Sequence, residues 1–312
     1  MVMKRGSMIN FNLDGISDIA NNCIDKIASA TGYLCNRETP KRIAINTYID
    51  EIQKSNLPAD TKAVLIYNSK KNIKEWSNQK TIIDKALPLI SGKAKPEAVE
   101  DDWLLSFFDK ARLVSDEEFQ SIWARILAGE FEKPGSFSIR TLERLKGLSK
   151  NEAEVFSKVG RYALNCNGNC FVYFDKRITD KYFFFDEILR LEECGLIKAQ
   201  QLSYNLYSPE DGSECVGIYN SKLICFIQKA NDFSRTSGII VPCFAFTNSG
   251  KELLNAINVG IDEDLFLEFV LYLSLQYRSL FSISLHRIID FKEDGKIEYD
   301  DNNLLSKERT IL

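Results

Sequence analysis

From Glu100 to Ala163 the chain writes one pattern four times over: a capping residue, then apolar positions three and four residues apart. That spacing is the grammar of short amphipathic helices and leaves little room for anything else. Glu100, Asp101 and Asp102 put carboxylates where a helix N-terminus has unpartnered amide hydrogens, and Trp103, Phe107, Ala111 and Val114 then keep one face apolar. Ser115 to Glu118 has capping-box spacing and opens a second helix, with Phe119, Ile122, Trp123, Ile126 and Leu127 inward and Gly129 expected to end it in a left-handed cap. Lys133 to Ser136 turns the chain, and Ser136 or Ser138 caps a third helix bearing Ile139, Leu142 and Leu145. Ser149 and Glu152 form a second capping box before Val155, Phe156, Val159 and Ala163.

The flanks read differently. Residues 13–30 carry Ile16, Ile19, Ala20, Cys23, Ile24 and Ile27 at helical spacing, but the polar face mixes Asp14, Asp18 and Asp25 with Lys26. Lipid headgroups attract a basic face, so packing on this protein or on a second subunit is the expected role, and this arm is the only membrane candidate. Residues from Pro40 to Ile90 stay helical, with Pro40 and Pro58 in first-turn positions and a basic stretch at Lys70, Lys71, Lys74 and Lys80. Ser91 to Pro96 reads as a linker. Downstream, Phe171 to Phe174, Ser203 to Tyr207, Lys222 to Lys229 and Ile239 to Phe246 are strand-like, whereas Phe184 to Cys194 is helical. A helix from Asp262 to Leu275, an alternating stretch through Phe281, Ile283 and Leu285, and a turn at Glu293 to Gly295 before Lys296 to Tyr299 complete the pattern; the last dozen residues are expected to fray.

Ile188-Leu-Arg-Leu-Glu-Glu-Cys-Gly-Leu-Ile197, followed by Phe246-Thr-Asn-Ser-Gly-Lys-Glu-Leu-Leu254, resembles the winged-helix superfamily. Gly195 would supply the positive φ that ends a helix, Leu196 and Ile197 would enter the core, and Thr247 would cap the next helix. The resemblance implies a fold and not an activity. A second resemblance covers residues 10–258 and centres on DDWLLSFFDKARLVSDEEFQSIWARILAGEFEKPGSFSIRTLERLKGLSKNEAEVF, which is similar to an uncharacterised bacterial family of unknown function. More distantly, Trp123, Leu127, Ala128, Leu148, Ser149, Glu152 and Ala153 resemble the abortive-infection alpha family of phage-defence proteins. Within the central phrase Trp103, Trp123, Arg125, Glu130, Gly135, Ser136, Ser138 and Arg140 are the signature residues, read as structural or interaction groups. Arg125, Glu130 and Arg140 are candidates for a buried, paired charge that fixes register.

Chemistry is sparse. The sole histidine, His286, lies in an alternating apolar stretch, so a base for nucleophilic catalysis lacks an evident nucleophile. No Gly-rich phosphate loop occurs, and no catalytic residue, cofactor or metal is assigned. Cys166 and Cys170 are spaced one residue beyond the commonest zinc knuckle and read as buried thiols. The eight cysteines without an evident signal peptide point to a reducing, cytoplasmic setting. Leu265 to Leu285 is interrupted by Glu268, Gln276 and Arg278, which argues against a membrane span. Net charge is −4, and the helix before Gly195 holds Asp186, Glu187, Glu192 and Glu193 against Arg190 alone, the wrong sign for a DNA groove. A local nucleic-acid patch would have to come from Lys176, Arg177, Lys181, Lys222, Lys229 and Arg235.

The expected architecture is mainly α with a smaller α+β part: a helical body, a winged-helix-like module and a short C-terminal helix and β-hairpin extension, divided at 1–95, 96–148, 149–258 and 259–312. The expected function is that of a non-enzymatic protein that binds a protein partner or itself, with the distant resemblance implying a sensor or accessory subunit in anti-phage defence. A DNA-binding regulator is the first alternative and an enzyme with an unrecognised site the second.

Overall fold

The computed structural model describes residues 18–32, 42–205, 215–229, 239–257, 259–277, 280–292 and 295–305. The chain divides into two compact units, Met1–Lys146 and Gly147–Leu312. Helices dominate the first, and an antiparallel sheet of eight strands runs through the second, so the class is mixed α and β with the strands gathered in one half.

The first unit holds α1 (Asp18–Thr31), α2 (Arg42–Lys54), α3 (Ala59–Ala86), α4 (Asp101–Ala111), α5 (Glu117–Glu132) and α6 (Ile139–Gly147), which ends at the boundary. The described part of the N-terminal arm packs on its own chain: α1 buries Ala20, Cys23, Ile24 and Ile27, lies against α4, and Lys26 meets Asp101 at 2.6 Å. Residues 13–17 of the arm, and Pro40, lie outside the described residues. The centre of the unit is aromatic, with Trp103 stacked on Phe107 at 5.2 Å and Trp123 edge-on to Phe107 at 5.1 Å. Around them Leu104, Leu127, Phe131 and Leu142 are buried. The second half of α3 joins this core through Ile82, Ile83 and Ala86, whereas its first half, from Ala59 to Ser77, buries no residue fully. Ser91 to Pro96 is tied rather than free: the Ser91 N–H donates to Glu132 and the Lys95 N–H to the Phe131 carbonyl.

Two expectations for α5 are corrected. Its cap is Asp116, whose carboxylate accepts from the N–H groups of Glu118 and Phe119 at 3.0 and 3.1 Å, one residue later than the box at Ser115 implied. Gly129 does not end the helix, which continues to Glu132. The glycine is needed for space: a Cβ there would stand 2.9 Å from the Phe137 ring. The left-handed residue is Gly135, with φ +82° in the turn that follows.

The second unit opens with α7 (Lys150–Gly160), started by the Ser149–Glu152 capping box in both directions. Then come β1 (Leu164–Cys166), β2 (Asn169–Tyr173), α8 (Lys176–Thr179), α9 (Phe185–Glu193) and β3 (Ile197–Asn205). After these follow β4 (Cys215–Tyr219), β5 (Leu223–Lys229), β6 (Ile240–Phe246), α10 (Asn248–Ala256), α11 (Asp264–Tyr277), β7 (Phe281–Phe291) and β8 (Ile297–Tyr299). The sheet order is β3-β6-β2-β1-β4-β5-β7-β8. β1 and β4 escaped the sequence reading. β1 is legible in hindsight, since Asn167 and Gly168, with φ 47° and 75°, make the tight turn of a two-residue hairpin. β7 pairs with β5 from Leu223↔Arg287 to Lys229↔Phe281, so it is a member of the sheet and not an appended hairpin. Positions 293 and 294 of the expected turn lie outside the described residues, while Gly295 has φ +83° and donates to the Lys292 carbonyl.

Two chain reversals are locked together where the winged-helix phrases fall. Gly195, at φ +68°, ends α9, and the Thr247 hydroxyl donates to its carbonyl at 2.8 Å. The Thr247 N–H donates to the Leu196 carbonyl, and Thr247 Oγ1 accepts from the Gly250 N–H. α10 comes so close that a Cβ on Gly250 would lie 2.2 Å from the Leu196 oxygen.

Candidate functional site

Most signature residues of the central phrase meet at one corner of the first unit. Trp103, from α4, donates its indole N–H to the Phe137 carbonyl at 2.6 Å. Glu130, buried near the end of α5, accepts from the Gly135 N–H at 2.5 Å and from the Phe137 N–H at 3.0 Å. Ser136 closes the turn onto the Lys133 carbonyl, and Ser138 Oγ accepts from the Thr141 N–H to cap α6. Such a corner satisfies backbone donors that burial would otherwise leave unpaired. It carries no nucleophile with a base. Trp123 is fully buried in the core, and its indole N–H meets no hydrogen-bond partner among the described residues. Arg125 and Arg140 are exposed, so of the three charges singled out Glu130 alone is buried, and the backbone amides of Gly135 and Phe137 are among its partners. Phe137, which sequence reasoning passed over, and Gly129, which it took for a helix stop, are as central to the corner as the residues it chose. Their signal was a lone aromatic inside a polar turn.

A buried cation does occur nearby. Lys110 of α4 pairs with Glu143 of α6 at 3.0 Å and donates to Ser106. The first unit also has a cleft of about 830 Å³ lined by Thr31, Asn72, Trp76, Gln79, Phe108 and Asp109 among others. Gln79 is spent on the Phe108 carbonyl and Asp109 on Arg112.

In the second unit two of the six residues of the proposed basic patch are engaged in ion pairs. Lys181 pairs with Glu268 at 2.5 Å, and Lys222 with Glu263 at 3.3 Å. Lys176 is exposed; the side chains of Arg177 and Lys229, and the whole of Arg235, lie outside the described residues. Glu268 also accepts from the Tyr182 hydroxyl at 2.7 Å, and Tyr162 donates to Asp262 at 3.3 Å. Burial pushes Glu268 up, but the hydrogen bonds from Lys181 and Tyr182 outweigh it and hold the carboxyl below its ordinary range. Burial, then the contact with Glu268, raises the Tyr182 phenol. These groups clasp α11 to the segment after α8.

His286 is buried, its Nδ1 lies 2.8 Å from the Asp300 carbonyl, and Phe226 and Tyr299 flank the ring. The register β1–β2 sets Cys166 opposite Asn169, so Cys166 and Cys170 point to opposite faces of the sheet. They form no clip, and burial raises the thiols to about 11 and about 12. No group of three or more metal-ligating side chains occurs among the described residues, and no described helix is long and apolar enough to cross a membrane.

What the second unit does expose is the outer side of α9. Ile188 and Leu191 face inward, while Phe184, Phe185 and Leu189 are 59%, 44% and 39% exposed. Asp186, Arg190, Glu192 and Glu193 on the same helix are also exposed; Glu192 accepts the Ala199 N–H at 2.9 Å, and Lys158 Nζ stands 5.5 Å over the Phe184 ring. Glu187 is turned away, accepting the Phe184 N–H and pairing with Lys158.

A family model described as "Protein of unknown function (DUF2806)" matches residues 67–269. The chain belongs to the DUF2806 family. No curated protein and no solved structure matches it. The DUF2806 match takes in the corner around Glu130, the lock at Gly250 and all of α9, and leaves out α1, α2, β7 and β8.

Proposed function

We propose that this DUF2806 protein is a non-enzymatic binding protein that engages a protein partner through the outer face of α9. One observation carries the reading: Phe184, Phe185 and Leu189 are 59%, 44% and 39% exposed beside the exposed Asp186, Glu192 and Glu193, even though the Phe185 ring leans on Phe174 and Phe244 and Lys158 stands over Phe184. Scattered apolar residues need no explanation, but Phe184 at the N-cap with Phe185 and Leu189 on the helix mark a contact surface. The carboxylates argue against a nucleic-acid partner, because phosphates repel them and because Lys181 and Lys222 are already paired.

The winged-helix-like reading of the module belongs to this proposal. It is supported by the strand order β3-β6-β2, by α8 and α9 lying between β2 and β3, and by the Gly195–Thr247 lock. In that reading α9 occupies the recognition position, with a surface adapted to protein. A role as sensor or accessory subunit in abortive-infection-type defence is the cellular setting we propose, resting on the distant resemblance around Trp123 and Ser149.

A photo-crosslinking side chain at Leu189 is expected to give one discrete protein adduct in cells, lost when Phe185→Ser is added. A duplex-DNA gel shift at low salt that weakens steeply as salt rises would overturn the reading.

A further inference from the structure

A second uncovered face exists, on the first half of α3. Val64, Tyr67, Lys71 and Lys74 are spaced three, four and three residues apart and so share one side of the helix. Val64 and Tyr67 are 57% and 66% exposed. Lys74 has no ion pair among the described residues, and Lys71 has only a loose one, 3.9 Å from Glu75. The other side of this half meets α2, where Lys62 donates to the Gln53 carbonyl.

The two faces are complementary in order as well as in kind. Read from N- to C-terminus, α3 presents Val64 and Tyr67, then Lys71 and Lys74; α9 presents Phe185 and Leu189, then Glu192 and Glu193. From the middle of the apolar pair to the middle of the charged pair is about 10 Å on α3 and about 8 Å on α9, at 1.5 Å per residue. A lysine stem spans that difference. We propose that the outer face of α3 on one copy docks on α9 of a second copy, the helices running in the same direction. Val64 and Tyr67 then cover Phe185 and Leu189, and Lys71 and Lys74 meet the glutamates. This rests on α9 being the partner-binding face and names the partner.

Like-with-like pairing fits worse. α9 in parallel on α9 would set glutamates against glutamates, and α3 in parallel on α3 lysines against lysines. Because the two docking faces differ, the contact is heterologous: a pair joined by one such contact keeps one free α3 face and one free α9 face, and association closes into a ring, of which a reciprocal dimer is the smallest, or proceeds to chains. A patch of this size puts the contact among weak, salt-sensitive ones.

Sedimentation velocity on the full chain, as a concentration series at low and high salt, tests it. The wild type is expected to form dimers or larger species at low salt and to return to monomer at high salt. The double variant K71E/K74E and the double variant L189D/E193K should each be monomeric with an unchanged melting temperature. An equimolar mixture of the two should form a heterodimer and nothing larger, since only one intact pair of faces remains. Monomeric wild type at every concentration, or variants that cannot complement each other, would overturn the proposal. If L189D/E193K abolishes association but K71E/K74E does not, self-docking through α3 is wrong and the reading of α9 stands. If L189D/E193K associates like the wild type, both fail.

Discussion

The corner around Glu130 and the outer face of α9 spend their residues in opposite ways. At the corner, Trp103, Glu130, Gly135, Ser136 and Ser138 are turned toward one another and toward backbone amides, and the fold consumes them. On α9, Ile188 and Leu191 are buried and Phe185 leans on Phe174 and Phe244, while Phe184, Phe185 and Leu189 still show much of their apolar surface to solvent. A long, specific sequence phrase thus marks a demanding piece of architecture, whereas the outward apolar residues of a short helix mark the surface that packing leaves uncovered. Substitutions in the two classes should therefore divide cleanly between stability and association.

The largest effect is expected at the lock that holds α9 in place. Gly250→Ala would put a methyl group 2.2 Å from the Leu196 carbonyl, a backbone atom that the Thr247 N–H already fixes. Overpacking costs about 1–3 kcal/mol and occasionally more, and a backbone oxygen that cannot swing aside puts this contact at the upper end. A marginally stable unit would lose much of its stability, read as a steep drop in melting temperature. Next comes Glu130→Ala, which strands the buried N–H of Phe137 and the part-buried N–H of Gly135. The expected loss is roughly 3 kcal/mol by urea denaturation, against under about 0.5 kcal/mol for Arg140→Ala on the exposed side of the same corner. Equal losses at the two positions would erase the distinction between consumed and spare residues.

Periodicity made α4 to α7 legible because each is short, capped and one-sided, so local signals and burial agree. It failed at Gly129 because a glycine that ends a helix and a glycine that admits a neighbouring ring look alike until Phe137 is brought across from the next turn. β4 was missed for a related reason: its partners, β1 and β5, are set by long-range pairing that local pattern does not encode. The signature residues were identified, but their convergence on the Phe137 turn was not, since hydrogen bonds to backbone leave no mark on spacing. α9 was the converse case. Its acidic character was plain in Asp186, Glu192 and Glu193, while the exposure of Phe184 and Phe185 depends on which face the sheet covers.

Leu189→Asp sharpens the comparison from the other side. Leu189 is outward on α9, so its loss should change stability by under about 0.5 kcal/mol while abolishing the contact that α9 makes. A large drop in melting temperature would mean that the residue belongs to the core after all and that α9 has no spare face.

The smallest effect concerns the clasp that holds α11 beside α8, a polar site that is neither consumed by a turn nor free. Glu268 has its folded pKa held below the ordinary glutamate value of 4.5 by Lys181 and Tyr182, and Glu152 is likewise lowered by the Ser149 cap. A depressed carboxylate contributes stability that is fully present above the unfolded value and is lost as pH falls through the folded one. Melting temperature should therefore decline on acidification below about pH 4.5, the ordinary value. Tyr182 works in the other direction, because a raised phenol contributes stability below its ordinary value of 10.0 that is lost at strongly alkaline pH. Glu268→Gln keeps an acceptor for the Tyr182 hydroxyl but removes the titrating carboxylate. It should flatten part of the acid limb and leave the share that belongs to Glu152, so an acid limb identical to wild type would show that the clasp contributes nothing to holding α11.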